Sequence, residues 1–250
     1  MNKKARDLGL ENSHFITPHG LDEQEHYTTA YELAIISDYA LNINKIAEVV
    51  KTKTYTVYIN GYPKTISNTN ELLGYLNGVN GVKTGFTNGA GRCLVTSVER
   101  DSFNIITVVL GADTKKIRTK DSIKLIEYIY SNYELVNIQE LINNEFVNWL
   151  NINKNRIEVN KAKNNIIKIG LEEVKYKTYP IKKESIKDLE IDTENINMYF
   201  ESPVYKGTNI GEIHVKIKDK ELMILNIFID NNIERKGWKD YFKECVISII

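Results

Sequence analysis

Cysteine is almost absent: Cys93 and Cys245 are the only two in 250 residues. They lie far apart, one in a strand-like run and one near the end, so no disulfide framework is implied. An excess of charge of either sign is missing as well. Lys and Arg number 33 against 33 Asp and Glu, a formal net charge of +0 at pH 7. That balance argues against a nucleic-acid protein, which needs a basic face. No apolar run is long enough to cross a membrane, and no signal peptide is legible. The four histidines, His14, His19, His26 and His214, share no metal-ligand spacing. Each is expected to make a structural or loop-positioning hydrogen bond, and neither metal nor cofactor is expected.

What is present is organised around Gly78-Val79-Asn80-Gly81-Val82-Lys83-Thr84-Gly85-Phe86-Thr87. The glycines let the backbone bend tightly and let another molecule approach closely. Lys83 offers a compact positive charge, and Thr84 a hydroxyl that donates or accepts. Residues 91–99 and 103–111 read as apolar strands joined at Arg100-Asp101-Ser102, making three antiparallel strands in sequence. Residues 115–133 read as a helix with Ile126, Ile129, Tyr130 and Tyr133 facing inward.

Upstream, residues 1–8 read as the end of a helix capped at Gly9. Residues 17–22 form a Pro/Gly loop, and Thr29 with Glu32 forms a capping box. Leu33, Ile36, Tyr39 and Ala40 then recur at helical spacing, and a short helix covers 45–51. Residues 54–59 alternate as a strand, and 68–75 form a turn of helix. Beyond 138 the pattern changes. Val174, Tyr176 and Thr178 alternate with Lys175 and Lys177, Ile213, Val215 and Ile217 with His214 and Lys216, and Asp219-Lys220 turns the chain into 222–229. Those short strands imply an all-β module.

Lys83-Thr84-Gly85-Phe86-Thr87 with Gly89-Ala90-Gly91-Arg92-Cys93-Leu94-Val95, preceded by Thr17-Pro18-His19-Gly20-Leu21-Asp22, closely resembles the low-molecular-mass penicillin-binding proteins. These are the serine-type D-alanyl-D-alanine carboxypeptidases of peptidase family S11. A Lys-Thr-Gly strand is one of three signatures of such enzymes, beside Ser-x-x-Lys and a Ser-x-Asn type. The resemblance implies an α+β fold: part of a penicillin-binding/β-lactamase-like transpeptidase domain over 1–135, an all-β domain over 136–232, and an amphipathic tail over 233–250. It implies acyl transfer on peptidoglycan stem peptides ending in D-Ala-D-Ala, with β-lactams entering the same site. Lys83, Thr84, Gly85, Phe86 and Thr87 would bind substrate, the Phe86 amide serving as one oxyanion donor. Arg118, at the start of its helix, would help hold the terminal carboxylate.

The chain departs from the family in one respect. Ser122-Ile123-Lys124 and Ser185-Ile186-Lys187 both miss the Ser-x-x-Lys spacing, and no Ser-x-Asn of the family type precedes Lys83. The expectation is a C-terminal portion of a longer enzyme, begun at an internal methionine and inactive alone. A non-catalytic peptidoglycan-binding or membrane-scaffolding fragment is the alternative. Trp238, Tyr241, Phe242, Cys245, Val246, Ile249 and Ile250 fall on one helical face, with Lys236, Lys239, Asp240, Lys243 and Glu244 opposite. Such a segment suits a membrane interface, at the extracytoplasmic face of the bacterial membrane if the family's location holds.

Overall fold

The computed structural model describes residues 1–247 as two compact units that divide between Asn132 and Tyr133. In the first unit, α1 (Asn2–Asp7) closes at Gly9, whose φ is 72°. There the Gly9 amide donates to Arg6 O and the Leu10 amide to Ala5 O. This paired closure satisfies the last carbonyls, and Ala5 and Leu10, the positions that meet in it, are both buried.

Helix α2 (Ala30–Leu41) starts on Thr29, whose hydroxyl accepts from the Glu32 amide at 3.1 Å. The second half of the expected capping box does not form. The buried Glu32 carboxylate turns instead to the amides of Glu11 and Asn12, at 3.0 and 2.8 Å, and to the Ser13 hydroxyl. Burial pushes that carboxyl up, but the hydrogen bonds from Ser13, Asn12 and Glu11 outweigh it and hold the group below the usual carboxylate range.

After α3 (Asn44–Val50), strands β1 (Thr54–Ile59) and β2 (Tyr62–Ser67) form an antiparallel ribbon. Asn60 and Gly61 make the turn, both at positive φ, 52° and 83°. That conformation matches the twist of a two-residue hairpin. Pro63 inside β2 conceals the second strand from a propensity reading. The turn of helix expected over 68–75 is a run of turns over 71–75. Strands β3 (Val79–Thr87), β4 (Gly91–Arg100) and β5 (Phe103–Ala112) then make a sheet in that order. Asp101 and Ser102 turn β4 into β5 at φ 48° and 65°.

Helix α4 (Lys115–Asn132) places Ile126 in a fully buried cluster with Leu72, Leu94 and Val98. The Tyr130 hydroxyl lies 2.7 Å from Phe103 O and 3.0 Å from Val98 O, pinning the helix to the strand ends. Tyr133, expected on this helix, belongs to a strand of the next unit.

The second unit contains β6 (Tyr133–Val136), α5 (Ile138–Asn153), β7 (Glu158–Asn160), β8 (Ile169–Leu171), β9 (Tyr179–Lys182), β10 (Leu189–Glu194), β11 (Tyr199–Glu201), β12 (Asn209–Ile217), β13 (Lys220–Ile229) and α6 (Trp238–Ile247). Its main sheet runs β10-β12-β13-β8, with β6 paired to β9 and β7 to β11. The strand character is that of the expected β-domain, joined by α5, which the alternation pattern did not reveal. Ile138, Ile142 and Trp149 from α5 share one core with Ile213, Val215, Leu225, Ile227 and Ile229. Residues 174–178, expected as a strand, are irregular, and pairing begins at Tyr179, opposite Val136. Two positions of the expected tail face, Ile249 and Ile250, lie outside the described residues.

Strand β12 alternates a core face with a polar one. On the polar face the His214 ring lies between two carboxylates, Nδ1 at 2.8 Å from Glu221 and Nε2 at 3.2 Å from Glu212. Burial lowers its pKa, but hydrogen bonds to Glu221 and Glu212 and the charge of Glu194 prevail over burial and Lys216 and raise it above 6.5. Because the folded value is raised, this contribution to stability is fully present below about pH 6.5, the unfolded value. It is lost as pH rises through the folded value. Urea unfolding followed by the fluorescence of buried Trp149 should therefore show stability falling through that window, and His214→Gln should flatten the slope. A slope unchanged in the variant would assign the effect to other groups.

Candidate functional site

Strand β3 is an edge of its sheet, pairing among the described residues only with β4. Its position is set by a loop that the side chain of Asn70 ties down. Asn70 is buried, donating from Nδ2 to Gly81 O at 2.9 Å and accepting from the Leu72 amide at 3.1 Å. Asn68 extends the brace, donating to Thr52 O and accepting from the Asn70 amide, at 3.1 and 2.9 Å. The Thr69 hydroxyl then meets Thr84 Oγ1 at 2.6 Å. Gly78, before the strand, sits at φ 82°, and a Cβ there would fall 2.3 Å from Glu99 O. Only glycine fits.

Lys83, Thr84, Gly85, Phe86 and Arg118 line one cleft of about 360 Å³, together with Thr69, Arg92 and Lys115. Lys83 is exposed and donates from Nζ to Thr84 O at 2.7 Å. The Glu99 amide donates to Gly78 O, so the odd positions of β4 face β3, and the carbonyl of Thr84, opposite Leu94, points off the unpaired edge. A residue's N–H and C=O share a direction in an antiparallel strand and alternate along it. By that period the amide of Phe86, two residues on, faces the same edge. The Phe86 ring is half exposed and stacks under the Arg92 guanidinium, 3.5 Å from carbon to centroid. Thr87 does not line the cleft; its hydroxyl accepts from the Ala90 amide at 2.9 Å and shapes the β3–β4 turn.

Arg118 is placed by the first turn of α4, where Thr114 Oγ1 accepts from the Ile117 amide at 3.2 Å. It is only 4% exposed. Its Nη2 donates to both oxygens of Glu71, at 2.6 and 2.7 Å, and its Nη1 to Cys93 O at 3.4 Å. Thr119 also donates to Glu71, and Lys115 Nζ lies 4.0 Å away. Burial pushes the Glu71 carboxyl up, but hydrogen bonds from Thr119, its own amide and Arg118, with the Arg118 charge, hold it below the usual range. The pattern of motifs did not point to Thr69, Glu71, Arg92 or Lys115. The turn-forming cluster Asn68-Thr69-Asn70 beside the glycine-bounded strand was the available signal.

The Pro/Gly loop reaches this region as well. His19 Nδ1 accepts from the Leu21 amide at 3.2 Å, and Asp22 accepts from the Gly89 amide at 3.3 Å. Both are positioning contacts, and His19 does not line the cleft.

Residues 1–114 match the D-alanyl-D-alanine carboxypeptidase family model, and residues 151–235 match that of the penicillin-binding protein 5 C-terminal domain. The chain belongs to the low-molecular-mass penicillin-binding protein family of D-alanyl-D-alanine carboxypeptidases. Over 258 aligned residues it is 32% identical to the D-alanyl-D-alanine carboxypeptidase DacF of Bacillus subtilis, covering 98% of this chain and 61% of that one. With DacA of Haemophilus influenzae it shares 28% over 95% of this chain and 57% of that protein. Among solved structures, penicillin binding protein 5 from Haemophilus influenzae superposes with a TM-score of 0.65 at 25% identity, covering 94% of this chain and 64% of that one. A Streptomyces K15 DD-transpeptidase mutant matches at TM-score 0.50 and 34% identity, over 52% of each chain. The chain thus spans about three fifths of the length of these curated relatives.

The loop brace gives a direct test. Asn70→Ala leaves the Gly81 carbonyl and the Leu72 amide without their buried partners, at a cost of about 1–3 kcal/mol. Hydrogen exchange at the Leu72 amide should accelerate, and Lys83 to Phe86 should lose protection in step. Unchanged exchange at Leu72 would show that the side chain does not hold the loop.

Proposed function

We propose that this chain supplies the substrate-binding side of a serine D-alanyl-D-alanine carboxypeptidase acting in peptidoglycan maturation. The observation that carries the proposal is the convergence of Lys83, Thr84 and Arg118 on one cleft beside an unpaired strand edge. In the proposed reaction a serine hydroxyl adds to the carbonyl of the penultimate D-alanine of a stem peptide. The peptide bond breaks, the leaving amine takes a proton and departs as D-alanine, and water hydrolyses the ester. Such chemistry needs an activated nucleophile, donors for the oxyanion and a cationic clamp. Phe86 offers an amide for the oxyanion, and Lys83 and Arg118 offer charge for the substrate carboxylate. The peptide's extended backbone would lie along β3, where the unpaired edge has groups to receive it. A β-lactam ring amide would enter by the same route.

No Ser-x-x-Lys stands among the 250 residues, so the nucleophile in this proposal comes from outside them. Polypeptide 1–250 should form no covalent adduct with a labelled penicillin, and an adduct would overturn that part of the assignment. In an enzyme carrying both a Ser-x-x-Lys segment and these residues, Lys83→Ala should slow acylation about 10²–10³-fold, the loss typical of one preorganised donor. The melting temperature should hardly move, because Lys83 is exposed. A near-normal acylation rate would refute the role.

We further propose that α6 lies on a membrane surface at the extracytoplasmic face of the cell. Trp238, Tyr241, Phe242, Val246 and Ile247 are all exposed on it, and no described residue of the helix is buried. Among the described residues no helix is long and apolar enough to cross a membrane, so an interfacial pose is the one that fits. Vesicles of anionic and zwitterionic lipid should retain the chain, and Phe242→Glu should release it. Equal retention of both forms would exclude α6 as the contact.

A further inference from the structure

We propose that Glu71 is a specificity-determining residue of the cleft: an internal carboxylate that occupies Arg118 and must be displaced before a ligand's carboxylate can use it. Arg118 is the most deeply buried cation lining the cleft, and its Nη2 already serves both Glu71 oxygens at 2.6 and 2.7 Å. Its Nη1 donates to Cys93 O, while Nε is buried with no hydrogen-bond partner among the described residues. A carboxylate is best held by two parallel N–H groups of the guanidinium. With Nη2 committed, neither fork of Arg118 is free for a second one. Two carboxylates on one buried guanidinium would also repel.

Glu71 is not a loose surface residue that happens to reach Arg118. Its chain neighbours are both fixed, Asn70 by its hydrogen bonds to Gly81 and Leu72, and Leu72 by complete burial in the core. Thr119, one residue beyond Arg118, donates to the same carboxylate, and Lys115 stands 4.0 Å from it. Yet the Glu71 side chain keeps 24% exposure against 4% for Arg118. It is therefore the partner that can swing out, away from Arg118 and into the neighbouring cavity that it lines with Lys115 and Thr119. A ligand ending in an uncharged group gains nothing from that exchange, whereas one ending in a carboxylate takes over the vacated donors.

The inference rests on the proposed reading in one respect, that the cleft receives a carboxylate. The test titrates chain 1–250 with N-acetyl-D-alanyl-D-alanine and with the corresponding C-terminal carboxamide, comparing wild type with Glu71→Gln by calorimetry or NMR. Gln retains an oxygen for Arg118 and Thr119 while removing the charge; Glu71→Ala, read in the same way, replaces it if Gln disturbs folding. The expected result is a Kd for the acid lowered about tenfold, equivalent to ~1.4 kcal/mol, with the carboxamide unchanged. If wild type prefers the acid and the variant binds it no more tightly, the Glu71 role is wrong and the carboxylate cleft stands. If acid and amide bind alike in both proteins, or neither ligand binds to either, the carboxylate reading falls and takes this inference with it.

Discussion

The contact on which the candidate site depends is the hydrogen bond from the Asn70 amide to the Gly81 carbonyl. An edge strand has partners on one side only, and β3 must hold its register while its outer edge stays open. Backbone pairing with β4 does half of this. Asn70 does the rest, because a buried amide with both ends satisfied is costly to break. The same side chain holds the Leu72 amide, with Glu71 between the two in the chain, so one residue couples the strand to the core beneath it.

Charge is arranged very differently in the two units. In the first, Lys83, Arg92, Lys115 and Arg118 gather around one cleft, with Glu71 as counter-charge. Cations so close to one another would favour any anionic ligand, and Glu71 moderates that field where it is most buried. In the second unit the charges are spread along the polar face of a sheet. Glu194 pairs with Lys216, and Glu212 and Glu221 flank His214. Those are cross-strand and near-neighbour pairs, which stabilise a sheet without creating a site.

Much of the fold was legible because local rules dominate where elements are long or turns are distinctive. The three sheet strands, the helix after them and the Gly9 cap follow from apolar runs and backbone constraints. Elsewhere a competing feature prevailed. Pro63 hid β2, although Asn60-Gly61 is a strong hairpin signal. Residues 174–178 alternate well but find no strand beside them, since a strand exists only with a partner. Glu32 stands at the right distance for a reciprocal cap, yet four donors from the loop at 11–13 outcompete the amide of Thr29.

What the sequence determined by itself is the family, the order of most elements and the identity of the Lys-Thr-Gly strand. The family rests on the resemblance of the blocks at 17–22 and 83–95 to known enzymes, and the elements on spacing and backbone freedom, which are local. Tertiary structure alone brought Thr69, Arg92 and Lys115 to the strand and set Glu71 against Arg118, 47 residues apart in the chain. Sequence spacing cannot report such a pairing, because it arises only when α4 packs on the sheet and a turn braced by Asn70 aims a carboxylate at the helix. The charge of Arg118 is written in the sequence, but whether that charge is free was decided by the fold.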